Sequence, residues 1–241
     1  ESQAIETPVL FTSEGFSPLF SMVVPPAMSG EKMVRKESFW SDRFNQQVVN
    51  PTLSIYDDGL LEGGMASGSR DAEGVPRRHQ NLVKNGRLTN MLWSTRDAAQ
   101  QVAEGRTEAA SSTGSANSGG HQSPPSTGCT ELFLTTNEAT HSWDQLLEQM
   151  GEGYVVNSVM GAHTANPTSG DFSVTTSAIL KVVDGEVVGA LKQAGLSGNL
   201  AKAMNGKVVL GKDVRRQGSY SSGSMHLPDV LLMDGLRINP A

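Results

Sequence analysis

The sequence has one cysteine, few aromatic residues and no long apolar run. A single cysteine in 241 residues excludes an intrachain disulfide and any zinc site built from several cysteines. The longest apolar runs, such as residues 230–233, are far too short to span a bilayer, and residues 1–7 lack the features of a signal peptide. We therefore expect a cytoplasmic protein that does not associate with membranes.

The sequence also lacks a cluster of lysine and arginine. Its formal net charge is −6, because 25 acidic residues outnumber 19 basic ones. Proteins that bind a phosphate backbone depend on basic patches. We therefore expect no direct contact with nucleic acid. The length fits one large domain or two small ones.

Glycine and proline, in contrast, are plentiful, with 26 and 11 residues. Three Asn-Gly or Asp-Gly pairs, at 85–86, 184–185 and 234–235, each lie between two strand-like runs. Such pairs supply the positive φ angles that tight hairpin turns need. The sequence therefore predicts three hairpins and a predominantly antiparallel β fold.

Apolar residues at helical spacing predict only a few helices, all of them short. Ser142 and Gln145 form a capping-box pattern, whereas Ser13 and Ser197 are cap candidates for two other helices. Pro25 and the proline that follows it are expected to end the first helix. The predicted helices cover residues 8–24, 95–104, 143–150 and 198–204, and a strand is predicted over 48–57.

Residues 105–128 form the one segment of biased composition. Ser, Thr, Gly and Pro account for 16 of its 24 residues. Loops of this length without secondary structure are uncommon in compact domains. We expect a mobile polar surface loop, or an ordered binding loop if another element covers it.

The histidines and the cysteine form no local motif for metal or nucleophilic chemistry. Neighbouring histidines are at least 20 positions apart, so no two can lie one turn apart on a helix. A metal site assembled from distant histidines stays open as an alternative. Cys129 precedes a strand-like run and has no base near it in the sequence, so we expect it to be a small apolar side chain.

The most unusual string covers residues 160–173. Asn166-Pro167 and Gly170-Asp171 indicate a rigid polar turn between two strands. His163 and Asp171 are eight positions apart and can meet across this turn as an acid–base pair. The residues alone favour a turn first and a site second.

The same string resembles a known family. Residues 166–173 read Asn-Pro-Thr-Ser-Gly-Asp-Phe-Ser, and Asp-Gly-Glu at 184–186 and Gly-Asn-Leu at 198–200 follow them. This order resembles the C-terminal part of the TldD/PmbA family. Further blocks similar to that family, in family order from about residue 8, lie at 57–64, 71–76, 82–88 and 112–117.

The resemblance implies a fold and a domain organisation. The implied fold is α+β and predominantly antiparallel β, with curved, barrel-like sheets and a few short helices. Residues 1–241 would form one C-terminal-type domain, with 105–128 as its polar loop. Full-length members of the family carry a further α/β domain before this region. Because the chain begins at Glu1 without a methionine, we expect a truncated or processed piece.

The resemblance also implies which branch of the family the chain belongs to. The catalytic branch, TldD, carries zinc on a His-Glu-x-x-x-His helix and has a cysteine near its C-terminus. Here the similar helix, at residues 11–20, has no histidine, and the cysteine position near 208–211 is lost as well. Zinc hydrolysis needs several protein ligands and a polarised water. We therefore expect a PmbA/TldE-like chain that holds no zinc or other cofactor.

From this resemblance we expect a subunit of a TldD/TldE-type metallopeptidase that degrades or matures unfolded peptides. Its partner would be a TldD-like catalytic subunit, which would hold the zinc, or a second copy of the chain. Sheet edges and the 161–173 loop would line a groove for extended peptides. The expected groove residues are Gly161, His163, Asn166, Gly170, Asp171 and Phe172.

Two other functions remain as alternatives. The first is a divergent hydrolase in which His163 and Asp171 are the acid–base groups. The second is a non-enzymatic interaction module, because members of the family are also known as modulators of DNA gyrase. Function follows from the site and not from the fold, so the structure of the 161–173 loop bears on both.

Overall fold

The structure is a computed structural model that describes residues 5–120, 122–218 and 223–240, and most of its regular structure is strand. The strands within these residues are β1 (Ile5–Glu6), β2 (Val9–Phe11), β3 (Leu53–Asp58), β4 (His79–Lys84), β5 (Arg87–Leu88), β6 (Ala116–Asn117), β7 (Ser126–Thr127), β8 (Glu131–Thr136), β9 (Gly153–Met160), β10 (Asp171–Val183), β11 (Glu186–Asn199), β12 (Val208–Leu210), β13 (Arg215–Gly218), β14 (Ser224–Leu227), β15 (Val230–Leu232) and β16 (Leu236–Pro240).

The helices are few and short, as the sequence predicts. In these same residues they are α1 (Ser13–Ala27), α2 (Gly30–Val34), α3 (Thr95–Ala103), α4 (Trp143–Met150) and α5 (Leu200–Asn205), with a 3-10 turn at Ala162–Thr164. None of the helices in the described part of the chain has the length and apolar character needed to cross a membrane.

Eight strands form the larger sheet, in the order β1-β16-β11-β10-β9-β2-β15-β12. All neighbours in it are antiparallel except β2 and β9, which are parallel. Six strands form a second sheet, in the order β13-β14-β8-β3-β4-β5, where only β8 and β14 are parallel. The expected α+β fold, with mostly antiparallel strands in a curled, half-barrel sheet, is confirmed.

One hydrophobic core joins the two sheets around α1. The inward face of α1 buries Phe16, Leu19 and Phe20 completely, and the helix packs on β9 on one side and on β13 and β14 on the other. The helix lies so close to β9 that a Cβ on Gly15 would be 2.3 Å from the carbonyl oxygen of Val156. A smaller cluster lies apart from this core, where α4 packs on the larger sheet.

Two of the three predicted hairpins are confirmed. β4 and β5 pair across Asn85-Gly86, and β10 and β11 pair across Asp184-Gly185. The third prediction is wrong, because the strands on either side of Asp234-Gly235 do not pair with each other. β15 pairs with β2 and β12, whereas β16 pairs with β11 and β1. Gly235 does have a positive φ of 81°, but pairing with distant strands decides the partners.

The helix predictions near 95–104 and 143–150 are confirmed, the latter with the capping box of Ser142 and Gln145. The first helix differs at both ends. β2 occupies the predicted first turn, the hydroxyl of Thr12 caps the helix, and the helix continues through Pro25 and Pro26 and ends at Ala27. The last helix begins after Asn199 because β11 extends through the predicted cap.

The strand predicted over 48–57 is shorter at its start and occupies Leu53–Asp58. The segment 105–128, apart from residue 121, contains the two-stranded pair of β6 and β7. Ser115 and Ala116 in it are fully buried, and the Ala116 N–H donates to the Asp71 carboxylate over 3.0 Å. The described part of this polar segment is thus tied to the loop between β3 and β4.

Candidate functional site

The residues predicted to line a groove lie in one turn between β9 and β10. Gly161 and Gly170 have φ values of 86° and 82°, where a side chain would be strained. The Asn166 N–H donates to the carbonyl oxygen of Asp171 over 2.8 Å, and the Gly170 N–H donates to that of Asn166 over 2.8 Å. Backbone hydrogen bonds therefore close the turn and hold its shape.

The side chain of Asn199 attaches this turn to α5. Its Nδ2 donates to Asp171 Oδ1 over 2.7 Å and to the carbonyl oxygen of Ser169 over 2.8 Å. Its Oδ1 accepts from the N–H of Lys202 over 2.9 Å and so caps α5. One amide thus joins the turn, the end of β11 and the helix that follows.

The Asp171 carboxylate is exposed, but it already accepts two side-chain hydrogen bonds. Ser169 Oγ donates to its Oδ2 over 2.6 Å, and this bond, followed by the one from Asn199, holds the pKa of Asp171 below its usual value. His163 is exposed in the 3-10 turn. Within the described residues, neither a hydrogen bond nor an ion pair joins His163 to Asp171. Phe172 points the other way and is part of the core, with 5% of its surface exposed.

Residues 161–173 line none of three prominent clefts on the described surface. The largest, about 430 Å³, lies where α1 ends beside α2 and α3, and Lys32, Arg96 and Asp97 are among its lining residues. The second, about 270 Å³, lies beside β12 and includes His141. The third, about 140 Å³, lies against α5.

The outer half of β11 is an open sheet edge. On one side β11 pairs with β10 along nearly its whole length. On the other side β16 covers only Ala194–Gly198, and no described strand pairs with residues 186–193 there. Val187 and Val188 in this stretch are 46% and 59% exposed. An open edge with exposed valines can pair with another extended chain.

A buried carboxylate on the second sheet joins three parts of the chain. Glu131 at the start of β8 is fully buried, and it accepts hydrogen bonds from the N–H of Ala66 over 2.8 Å, from Ser224 Oγ, and from His226 Nε2 over 2.9 Å. Burial raises its pKa, but these hydrogen bonds outweigh burial, so the pKa of Glu131 lies below its usual value. The carboxylate therefore stays charged and satisfied.

Four rings lie side by side across the outer face of the second sheet. The centroid of the His226 ring is 4.0 Å from that of Phe133, which is 4.6 Å from that of Tyr56. Tyr56 is followed by His79 at 4.8 Å. The faces of the two inner rings, Phe133 and Tyr56, are therefore covered by their neighbours.

The sequence gives no signal for the Glu131–His226 pair or for the row of rings. Glu131 and His226 are 95 positions apart, and they meet only because β14 lies parallel to β8. The rings occupy facing positions on neighbouring strands, such as His226 opposite Phe133. Such register depends on strand order, which the sequence does not reveal.

The described residues contain no group of three or more His, Cys, Asp or Glu side chains that could hold a metal. The helix α1, where the resemblance locates the zinc motif of the catalytic branch, has no histidine. Cys129 is a buried core residue as predicted, and burial, then the charge of Asp57, raises the pKa of its thiol well above its usual value.

Comparison with known proteins gives relatives over most of the chain. Residues 4–238 match the family described as "PmbA/TldA metallopeptidase C-terminal domain". An uncharacterized protein of Methanocaldococcus jannaschii is 30% identical over 207 residues, which are 86% of this chain and 46% of the relative. Metalloprotease PmbA of Escherichia coli O157:H7 is 28% identical over 226 residues, 94% of this chain and 45% of the relative. The chain thus spans about half the length of these relatives.

Solved structures share the fold. TldE from Thermococcus kodakarensis superposes with a TM-score of 0.84 at 23% identity, over 99% of this chain and 51% of that chain. A putative modulator of a DNA gyrase from Thermotoga maritima superposes with a TM-score of 0.81 at 27% identity, over 98% of this chain and 50% of that one. The chain belongs to the PmbA/TldA metallopeptidase C-terminal domain family.

Proposed function

We propose that this chain is the non-catalytic, PmbA/TldE-like part of a two-subunit metallopeptidase that acts on unfolded or extended peptides in the cytoplasm. A TldD-like partner would hold the zinc and polarise the attacking water. This chain would contribute to the assembly and to one wall of the peptide groove. The names of its relatives, metalloprotease PmbA and TldE, support this assignment.

One observation carries the proposal: α1 is built for packing and not for metal binding. Phe16 and Phe20 lie one turn apart on its inward face, with ring centroids 5.4 Å apart, and both are fully buried. A zinc site needs several nitrogen, oxygen or sulfur ligands around one point. The inward face of α1 offers aromatic carbon instead, so hydrolysis by this chain would depend on a partner.

The turn at 161–173 supports a binding role better than an acid–base role. A carboxylate that acts as a general base must be free to take a proton at working pH. The Asp171 carboxylate already accepts two hydrogen bonds, which lower its pKa and make it a poor base. The exposed imidazole of His163 on this rigid turn is available to contact a peptide.

Zinc analysis and a peptidase assay test the proposal. The purified protein is expected to contain far less than one zinc per chain and to leave an unfolded peptide uncut. Adding a TldD-like subunit is expected to give hydrolysis that depends on both chains. Stoichiometric zinc together with cleavage by this protein alone would falsify the proposal.

The substitution His163→Ala separates the groove role from the hydrolase alternative. If His163 lines the groove, its loss is expected to raise the KM of the mixed assembly severalfold with little change in kcat. The reason is that the substitution removes substrate binding that is equally strong in the ground state and the transition state. If His163 were an acid–base group, kcat would fall by about 100-fold or more. Lys212→Ala, an exposed change away from the turn, is the control and is expected to leave both constants unchanged.

The name of the Thermotoga maritima relative, a putative modulator of a DNA gyrase, keeps the interaction module as a second candidate. Such a module would act by binding another protein, without peptide hydrolysis. Pull-down experiments distinguish the two. Recovery of a TldD-like chain, with peptidase activity on mixing, supports the peptidase subunit, whereas recovery of gyrase without peptidase activity supports the module.

A further inference from the structure

The cleft where α1 ends beside α2 and α3, which we call the α2–α3 cleft, contains two basic side chains. Its volume of about 430 Å³ is adequate for a small ligand, since such sites measure about 300–1,000 Å³. Lys32 of α2 and Arg96 of α3 both line it. Within the described residues, neither side chain takes part in an ion pair or a hydrogen bond. Two unpaired cations in one cleft favour an anionic ligand.

The two acidic side chains of the α2–α3 cleft have other partners. Glu31 forms an ion pair with Arg35 over 3.2 Å. Asp97 is 8% exposed, and its Oδ2 accepts a hydrogen bond from the hydroxyl of Thr127 over 2.6 Å. Once the ion pair is set aside, the formal charges of the two free bases exceed that of Asp97 by one. The lining therefore balances a monoanion better than a dianion.

The main-chain donors beside the α2–α3 cleft are already in use. The N–H groups of Thr95 and Arg96, in the first turn of α3, donate to the Glu73 carboxylate over 2.5 and 3.1 Å. The N–H of Gly128 donates to the carbonyl oxygen of Ser115 over 2.9 Å. Phosphate sites typically use free N–H groups at a helix N-terminus. Since this cleft offers cationic side chains instead, it suits a carboxylate better than a phosphate.

Hydrogen bonds fix the walls of the α2–α3 cleft. The N–H of Leu92 donates to the carbonyl oxygen of Met28, and the carbonyl oxygen of Leu92 accepts the N–H of Gly30, each over 2.9 Å. On the other side, the hydroxyl of Thr127 accepts the N–H of Ser94 over 2.8 Å, which holds the end of the polar segment against the start of α3. A preformed cleft loses little conformational entropy when a ligand binds.

The rest of the lining is partly apolar and partly polar. Pro25, Pro26 and Leu92 supply the apolar part. Gln100 and Ser126 supply side chains that can form hydrogen bonds with amide groups. A short peptide with an apolar last side chain combines a carboxylate, amides and an apolar group, so it matches all three features of the cleft.

We propose that the α2–α3 cleft binds the C-terminal end of a short peptide, whose free carboxylate contacts Lys32 and Arg96. The inference rests on the proposed function for the source of this ligand, because hydrolysis of a peptide bond leaves a new carboxylate on one product. Its test uses this chain alone. A lack of binding therefore leaves the zinc analysis and the peptidase assay with a TldD-like subunit unaffected.

Isothermal titration calorimetry with an N-acetylated Ala-Ala-Leu tripeptide tests the site. We expect the free acid to bind with a Kd below about 1 mM, and the same tripeptide with an amidated C-terminus to bind at least about tenfold more weakly. Lys32→Gln and Arg96→Gln are each expected to weaken binding of the free acid at least about tenfold, because each removes a charged hydrogen-bond donor. Both variants are expected to leave the weak binding of the amide unchanged.

Two further ligands separate the carboxylate from other anions. Acetate has the carboxylate without the peptide, and inorganic phosphate has a different anionic group. Both are expected to bind more weakly than the tripeptide acid. In nuclear magnetic resonance spectra, the amide of Gly128 beside the cleft is expected to shift on titration with the tripeptide acid, whereas that of Gly170 in the turn between β9 and β10 is expected to stay in place.

Lys212→Gln and Arg237→Gln are the matched controls, since both side chains are exposed and lie outside the lining of the cleft. They are expected to bind the tripeptide acid like the wild type, and circular dichroism verifies that every variant retains the fold. Absence of binding at about 1 mM, equal affinity for acid and amide, or normal binding by Lys32→Gln and Arg96→Gln would each overturn the proposal. Tighter binding of phosphate, or a shift at Gly170 alone, would overturn it too.

Discussion

Asp57 is a buried carboxyl group whose charged form is destabilised by burial. It is 1% exposed, and its Oδ1 accepts the N–H groups of Thr130 and Glu131 over 2.7 and 2.9 Å. Burial raises the pKa of Asp57 to about 6, although these two hydrogen bonds and the nearby Arg77 lower it in part. The folded protein therefore binds a proton at this site that the unfolded chain releases near its ordinary pKa of 3.8.

This difference predicts how stability depends on pH. Between about pH 4 and pH 7 the folded state binds more protons at Asp57 than the unfolded state, so the free energy of unfolding falls as pH rises. The contribution lost is at most about 3 kcal/mol. In Asp57→Asn that loss is absent, so we expect this variant to gain stability relative to the wild type as pH rises through about 6. Urea denaturation over this pH range measures the effect.

Asp184→Asn is the control for this prediction. Asp184 is exposed in the hairpin turn before Gly185, and an Asn-Gly pair suits that turn equally well. The free energy of unfolding of this variant is expected to stay close to that of the wild type. A stability difference between Asp57→Asn and the wild type that stays constant with pH would mean that the Asp57 carboxyl is not protonated near pH 6 in the folded protein.

At the scale of elements, Asn199 decides how the turn at 161–171, β11 and α5 fit together. Its amide accepts the capping N–H of α5 and donates to two acceptors in the turn. We expect Asn199→Ala to lower the free energy of unfolding by about 1–2 kcal/mol, since a cap and two further bonds are lost. Chemical denaturation measures this loss.

The same substitution also tests the order of the turn. Hydrogen exchange at Gly170 and Lys202 is expected to speed up in Asn199→Ala, because their amides bond within the turn and at the cap. The exposed Asn81→Ala on β4 is the matched control and is expected to change stability by less than about 0.5 kcal/mol. If both variants were equally stable, the amide of Asn199 would not hold these elements together.

The sequence predicts elements well where the signal is local. The capping box of Ser142 and Gln145 and the hairpin at Asp184-Gly185 depend on residues only a few positions apart, and both are present. The predicted hairpin at Asp234-Gly235 is absent because β15 pairs with β2 and β12, whereas β16 pairs with β1 and β11. Distant pairing overrides the local turn signal.

In the candidate site, too, local features are predictable from the sequence and contacts between distant residues are not. The polar turn between β9 and β10 is predictable, since Asn166-Pro167 and Gly170 are local turn signals. The contact of Asn199 with Asp171 depends on the alignment of β10 with β11, and that of His226 with Glu131 depends on a parallel pairing. Neither strand register nor strand order is encoded within a short window, so sequence reasoning could not find these partners.

At the scale of the whole molecule, strands from the beginning and from the end of the described chain pair in one sheet. β2 lies between β9 and β15, and Leu10 of β2 faces Leu231 of β15. Both side chains are fully buried in the smaller cluster beneath α4. The fold is therefore closed by contacts between residues 221 positions apart, and we expect folding to be slow because such long loops must close first.

A double-mutant cycle on this pair tests that closure. Leu10→Ala and Leu231→Ala are each expected to cost about 2–5 kcal/mol, because each leaves a cavity in a fully buried cluster. Their effects are expected to deviate from additivity by about 0.5–3 kcal/mol, since the two side chains share one cavity across paired strands. Urea denaturation of the wild type, both single variants and the double variant in a stabilising sucrose buffer gives the coupling energy.

Leu88, buried on β5 of the second sheet, provides the control pair. The combination of Leu10→Ala with Leu88→Ala is expected to be additive within about 0.5 kcal/mol. Strict additivity of Leu10→Ala with Leu231→Ala would show that the two side chains are not energetically coupled.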